Sequence, residues 1–247
     1  MILNILLTND DGIDAEGLAA LYKSVTAVLP NTATVSVVAP DRGRSECGHS
    51  VTTGRPLVIR QHQPGWYSVD GTPVDCVRAA ISTLVPKVDA VISGINAGAN
   101  LGIDLLISGT FAAAREAALQ RIPALAASHY RHPDVPKTWD HAPDWLGETL
   151  AEFFHSVCED AFKDDALLWN VNLPAVDPRG TKPSRIECGV DSHPMVRTGQ
   201  LSPSERELTQ KLAMTSEFHG RPRNAGSDVD RCFAGQITLS RMKPQVA

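Results

Sequence analysis

Short apolar runs alternate with helix-periodic segments along most of this chain, and that alternation restricts its fold more than any other feature. "MILNILL", Met1 to Leu7, opens as a short buried strand, after which Leu18, Leu21, Tyr22, Val25, Val28 and Leu29 recur at helical spacing until Pro30 and Asn31 stop them. "ATVSVVAP" follows as a second strand closed by Pro40. Further on, "GWYSVDGTPVDCVRAAISTLVP" reads as a strand, a Gly-Thr-Pro turn and a helix. "VDAVISG" is a strand, "TFAAAREAALQR" a helix, "IPALAAS" a strand, "DWLGETLAEFFHSVCEDAF" a helix and "LLWNVNLP" a strand. Strands separated by helices cannot be joined as tight hairpins, so the pattern implies an α/β fold with a mostly parallel sheet and helices on both faces. Beyond Ala175 the pattern weakens. Residues 176–247 read as an extended, hairpin-bearing C-terminal arm on a core of about residues 1–175, with "GQITLSRM" as a late strand and "SPSERELTQK" as an exposed helix face.

At 247 residues the chain fits one domain, 1–247, better than two. A net charge of -5 gives no general attraction to a phosphate backbone, so a nucleic acid duplex is not expected as partner and any phosphate must be held locally. Five cysteines without a Cys-x-x-Cys spacing argue against both a disulfide framework and a zinc site. The opening residues lack the basic flank of a signal peptide, and no apolar run is long enough to span a bilayer, so a cytoplasmic protein without membrane attachment is expected.

Chemistry concentrates in loops that follow the strands. "ILLTNDDGID" breaks from an apolar run into adjacent carboxylates, Asp10 and Asp11, which repel unless both meet water or share a cation. If the strands are neighbours, Ser45 after the second strand and Asn96 after "VDAVISG" converge on that pair. Two carboxylates, a hydroxyl and an amide carbonyl are hard oxygen donors suited to Mg²⁺, Mn²⁺ or Ca²⁺. "NDDG" is equally good turn and helix-cap chemistry. Ser108, Gly109 and Thr110 precede an alanine-rich helix whose N-terminus can hold a phosphate, although Ser108 and Thr110 also read as plain N-caps. No P-loop or dinucleotide fingerprint accompanies them. His129 and His132 read as solvated loop residues and His49 as exposed, with a proton-donor role open. Arg42 and Arg44 could steer an anion, and Cys47 and Cys76 read as inert.

Taken in order, "ILLTNDDGIDAEGL", "VVAPDRGRS", "VDGTPVDCV", "VISGINAGANLGIDLLISGT" and "NVNLP" resemble the SurE family of metal-dependent nucleoside monophosphate phosphatases, over roughly the first 175 residues. The resemblance implies a Rossmann-like domain, a single divalent cation (Mg²⁺ or Mn²⁺), and hydrolysis of 5′- and 3′-nucleotides. It implies Asp10, Asp11, Ser45 and Asn96 as metal ligands, Asp10 and Asp11 as the catalytic pair, and Asn96 with Ser108 to Thr110 around the phosphate. A homodimer or homotetramer is expected. The chain departs from the family at Glu46, where a small residue is usual; a carboxylate there is expected to repel the substrate phosphate. It departs again in the C-terminal region, where "RCFAGQITLS" replaces a segment richer in tyrosine and tryptophan. Two readings from other classes, a nucleotide-binding module without turnover and a metal-dependent glycosyltransferase, are separated from a phosphatase by phosphate release with and without metal.

Overall fold

The computed structural model describes residues 2–45, 47–159, 167–203 and 209–244. Its elements run β1 (Leu3–Thr8), α1 (Glu16–Val28), β2 (Ala33–Pro40), β3 (Ile59–Gln63), β4 (Trp66–Val69), α2 (Pro73–Ala79), β5 (Ala90–Asn96) and α3 (Gly109–Leu119). They continue with β6 (Ala124–His129), α4 (Ala142–Cys158), β7 (Leu168–Leu173), β8 (Arg185–Glu187), β9 (Arg197–Pro203), β10 (Gln210–Ser216), α5 (Asp228–Phe233) and β11 (Ile237–Met242). Among the described residues one sheet has nine strands in the order β3-β4-β2-β1-β5-β6-β7-β11-β8, and β9 pairs with β10 separately. The central strands β2, β1, β5, β6 and β7 are parallel, while β3 and β11 run against their neighbours β4 and β7.

Alternation along β1 divides the core. Leu3, Ile5 and Leu7 face α1 and α4, packing with Leu18, Leu21, Val25, Leu146, Leu150 and Phe153. Leu6 faces the opposite layer, where Cys76 and Val77 of α2 and Ala113, Ala114 and Ala117 of α3 are buried. Each fully buried leucine or valine contributes about 1.5–3 kcal/mol relative to exposure. The alanine face of α3 lets that helix lie close on the sheet. At the start of α2, Thr72 and Asp75 form a reciprocal capping box with Pro73 in the first turn, which gives "GTPVD" its local meaning.

The region after Ala175 divides in two. β9 and β10 form a hairpin whose residues are all exposed, with Leu201, Leu212 and Met214 open to solvent. "GQITLSRM" instead returns to the body, where β11 lies between β7 and β8. The reading of "SPSERELTQK" as a helix face is corrected at its ends: Ser202 and Pro203 finish β9, and Gln210 and Lys211 begin β10. A strand solvated on both faces carries no alternation to distinguish it from a polar helix. Residues 204–208 lie outside the described residues, as does Glu46.

Candidate active site

The chain leaves β1 toward β2 on one side and later reaches β5 on the other, so the strand order turns at the carboxyl end of β1. Open α/β sheets bind ligands at such points. Buried Asn9 closes the turn that follows β1: its Nδ2 donates to the Gly12 carbonyl at 2.8 Å, and the Gly12 N–H donates to Asn9 Oδ1 at 3.2 Å. Gly12 has φ +103°, a conformation costly for any residue with a side chain. Asp10 and Asp11 therefore sit on a braced loop.

Asp10 is 3% exposed. Burial pushes its carboxyl up to about 6, the neighbouring Asp11 adds to the shift, and the Thr110 bond opposes it. Thr110 Oγ1 donates to Asp10 Oδ1 at 2.5 Å, and the Thr110 N–H also supports the carboxylate. Gly109 packs directly on this group: a Cβ there would lie 2.9 Å from Asp10 Cβ and 3.0 Å from Oδ2. Asp11 accepts the Ala97 N–H at 3.2 Å, and burial raises its carboxyl above the usual range. The Arg44 N–H donates to the Asp10 carbonyl at 2.7 Å, which brings the exposed Ser45, the next residue, to the same loop junction. Asn96 donates to the Gly98 carbonyl at 2.8 Å, one residue before the Ala97 N–H that meets Asp11.

The loops around Asp10, Asp11, Ser45, Asn96 and Gly109–Thr110 thus meet at one place. Ser108 differs from its neighbours. Its N–H goes to the Leu105 carbonyl at 3.1 Å and its Oγ accepts the Phe111 N–H at 3.2 Å, so it acts as the N-cap of α3 while Gly109 and Thr110 face Asp10. The loop after β5 is pinned from β7, where Asn170 and Asn172 point to one face and both donate to the Asn100 carbonyl, at 3.0 and 2.9 Å. Asn172 Oδ1 takes the Asn100 N–H at 2.9 Å, and Asn100 Nδ2 reaches Ser128 at 2.8 Å. "NVNLP" thereby positions the loop after β5 through its alternate asparagines.

Several residues differ from the sequence reading. His129 is 2% exposed and not solvated; its Nε2 lies 2.7 Å from His141 Nε2, and burial, followed by Arg131 and His141, holds it down to about 3. His129 is the last residue of β6, and the strand carries its side chain inward, which the histidine- and proline-rich loop composition concealed. His49 is half-buried against Glu116 and Arg115. Arg42 and Arg44 both pair with Asp41 at 2.9 Å. Burial raises the Cys76 thiol well above its ordinary range. Glu116 and Arg78 carry no sequence signal that sets them apart from ordinary helix charges.

Among the described residues no three His, Cys, Asp or Glu side chains form a metal-holding group. A cation at the Asp10–Asp11 pair would complete its shell with neutral oxygens, and the upward shift of both carboxyls is the electrostatic deficit that such a charge offsets. Fold and site together define a Rossmann-like α/β protein with a strand-end carboxylate pair set against a helix N-terminus. The family model described as "Survival protein SurE" matches residues 5–192. The chain belongs to the SurE family. It is 39% identical over 245 residues to the 5′-nucleotidase SurE of Neisseria gonorrhoeae, covering 98% of this chain and 92% of that protein. It is 40% identical over 190 residues to the 5′-nucleotidase SurE of Desulforudis audaxviator, covering 74% and 71%. The crystal structure of the SurE protein from Aquifex aeolicus superposes with a TM-score of 0.77 at 27% identity, covering 99% of this chain and 94% of that one.

Proposed function

We infer that this chain is a phosphomonoesterase, a 5′-nucleotidase that hydrolyses nucleoside 5′- and 3′-monophosphates to nucleoside and phosphate. The observation that carries the reading is the meeting of the Asp10–Asp11 pair with the start of α3 at the end of β1. Binding phosphate at a helix N-terminus requires no acids beside it; a buried carboxylate, Asp10, next to the half-buried Asp11 at that spot serves a cation and a reacting water. Asp10, Asp11, Ser45 and Asn96 supply the oxygens that hold one divalent ion, Mg²⁺ or Mn²⁺. When bound, that ion supplies Lewis-acid polarisation of a phosphoryl oxygen.

The protein's own contribution is orientation. Thr110 fixes the Asp10 carboxylate with its hydroxyl and N–H, and the Ala97 N–H fixes Asp11. Gly109, without a side chain, lets the start of α3 lie directly on Asp10, and the Ser108–Thr110 segment with Asn96 lines the place for the phosphate. Asp10 and Asp11 position the attacking water, and one of the two takes up its proton. Assembly into a homodimer or homotetramer uses the exposed β9–β10 hairpin, and a cytoplasmic setting accords with the free thiols. Among the described residues no helix is long and apolar enough to cross a membrane.

Phosphate release from a panel of nucleoside monophosphates tests the reading, with metal added and with metal stripped by a chelator. Release that depends on Mg²⁺ or Mn²⁺ is expected. Nucleotide binding without turnover, or transfer from a sugar nucleotide with no phosphatase activity, would replace it by one of the two rival classes.

A further inference from the structure

About two turns along α3 from Gly109, Glu116 holds a carboxylate that is only 2% exposed. An unpaired charge at that depth would be costly. Arg78 Nε donates to its Oε1 at 2.7 Å, Gln120 reaches the same oxygen at 3.4 Å, and His49 Nε2 lies 3.0 Å from Oε2. Burial alone would raise the Glu116 carboxyl, but the bonds from Arg78 and His49 bring it below its ordinary value. Arg115 Nε meets the other ring nitrogen, His49 Nδ1, at 3.1 Å. A guanidinium only donates, so Nδ1 is the acceptor and Nε2 carries the hydrogen that goes to Glu116. One tautomer satisfies both neighbours, and it is the neutral one.

His49 belongs to the loop after β2 that carries Ser45. Within that loop the Cys47 N–H donates to the Arg44 carbonyl at 3.0 Å and the Ser50 N–H to the Cys47 carbonyl at 3.2 Å, while Thr72 Oγ1 donates to the Ser50 carbonyl at 2.7 Å. The segment is therefore tied to Asp10 through Arg44 at one end, and to α2 and α3 through Thr72 and Glu116 at the other. We propose that Glu116, acting through the Nε2–H tautomer of His49, is a positioning residue that clamps the Ser45 loop to α3 and so fixes Ser45 relative to Gly109 and Thr110. The arrangement makes α3 a common frame: its first turn meets Asp10, and its third holds the loop that brings the neutral oxygen donor. The proposal rests on the phosphatase reading for its purpose, though not for its geometry.

The test compares His49→Ala with His49→Gln, both of which leave the Arg78–Glu116 pair in place. Glutamine can return a donor to Glu116 from nearly the position of Nε2, whereas alanine cannot. Hydrogen exchange at the Cys47 and Ser50 amides reads the loop, and calorimetric binding of Mn²⁺ alone reads the site without turnover. His49→Ala is expected to speed exchange at both amides and weaken Mn²⁺ binding about tenfold, with His49→Gln recovering most of the loss. Parental exchange and parental Mn²⁺ affinity in His49→Ala overturn the clamp. Faster exchange with unchanged Mn²⁺ affinity also overturns it, because the contact would then serve packing alone. A parental chain that shows both loop protection and Mn²⁺ binding, yet releases no phosphate from any nucleoside monophosphate, overturns the phosphatase reading and leaves the clamp standing.

Discussion

At the carboxyl end of β1 the two acidic residues find their partners in distant parts of the chain. Asp10 is met from α3, Asp11 from the loop after β5, and the Asp10 carbonyl from the loop after β2. The β9–β10 hairpin shows the opposite arrangement: its strands pair with each other and present Leu201, Leu212 and Met214 to solvent, while Arg197 ties its base to Asp104 at 3.3 Å. The first region has its geometry over-determined by the chain itself, so a small change there has nowhere to relax. The second is nearly independent of the body, so its apolar side chains meet only each other across the hairpin and otherwise face solvent.

That contrast is open to direct attack. Its sharpest form is Asp11→Asn, which removes one of the two charges proposed to hold the cation. Steady-state kinetics on a nucleoside monophosphate should show kcat/KM lower on the order of a thousandfold, with the far-ultraviolet spectrum unchanged. Near-parental activity at limiting metal would remove Asp11 from the mechanism. Gly109→Val comes next. Its Cβ would fall 2.9 Å from Asp10 Cβ, so a loss of about a hundredfold in kcat/KM is expected from displaced Asp10, whereas Thr110→Ser, which keeps the hydroxyl, should stay within a few-fold of the parent.

A smaller effect separates the regions by pH. His129 is held neutral by burial, its value lowered from 6.5 to about 3, so the unfolded chain takes up a proton before the folded one does. Stability is full above the unfolded value and falls as pH drops through 6.5 toward 3. The slope gives a loss of about 2 kcal/mol between about pH 6.5 and 5. Thermal unfolding followed across that range should show this decline in the parent and a flatter curve in His129→Gln. A decline identical in both proteins would assign the acid sensitivity to other groups. The smallest effect is expected in the hairpin. Leu201→Ser with Leu212→Ser should move unfolding of the isolated chain by less than about 0.5 kcal/mol and leave metal-saturated kcat near parental. Light scattering should instead show loss of the proposed homodimer or homotetramer, and an assembly state unchanged from the parent would take the hairpin out of any interface.

The same contrast governs what could be read from the residues alone. "ATVSVVAP" matches β2 residue for residue, because a short valine-rich run closed by proline has few other fates. The Asp10–Asp11 pair is legible as a candidate site because strand-end position, adjacency of like charges and the following glycine all act within a few residues. The partners of these groups were less legible. Glu116 and Arg78 are separated by 38 positions, and nothing local distinguishes a buried helix carboxylate from a solvated one. His129 was misjudged for the same reason: its burial is decided by Trp139, His141 and Trp145, which come from the segment after β6. β3 is wholly exposed and β8 only three residues long, so neither carries enough pattern to be recognised before its neighbour is known.

The insertion of β11 between β7 and β8 bears on the order in which the molecule can be completed. During synthesis β1 through β7 emerge in sequence, and all that follow β1 can dock on a neighbour already made except β3, which waits only for β4, but the outer edge of β7 has its partner in a strand made after β8, β9 and β10. β8 cannot join the sheet first, since its pairing is to β11. A nascent chain lacking residues 237–242 therefore carries an open edge on an otherwise finished sheet, the kind of edge that recruits a strand from another copy. Closing that edge is the work of β11, whose neighbour α5 is anchored by Asp228 to the N–H of Gly102, on the segment that leads into α3.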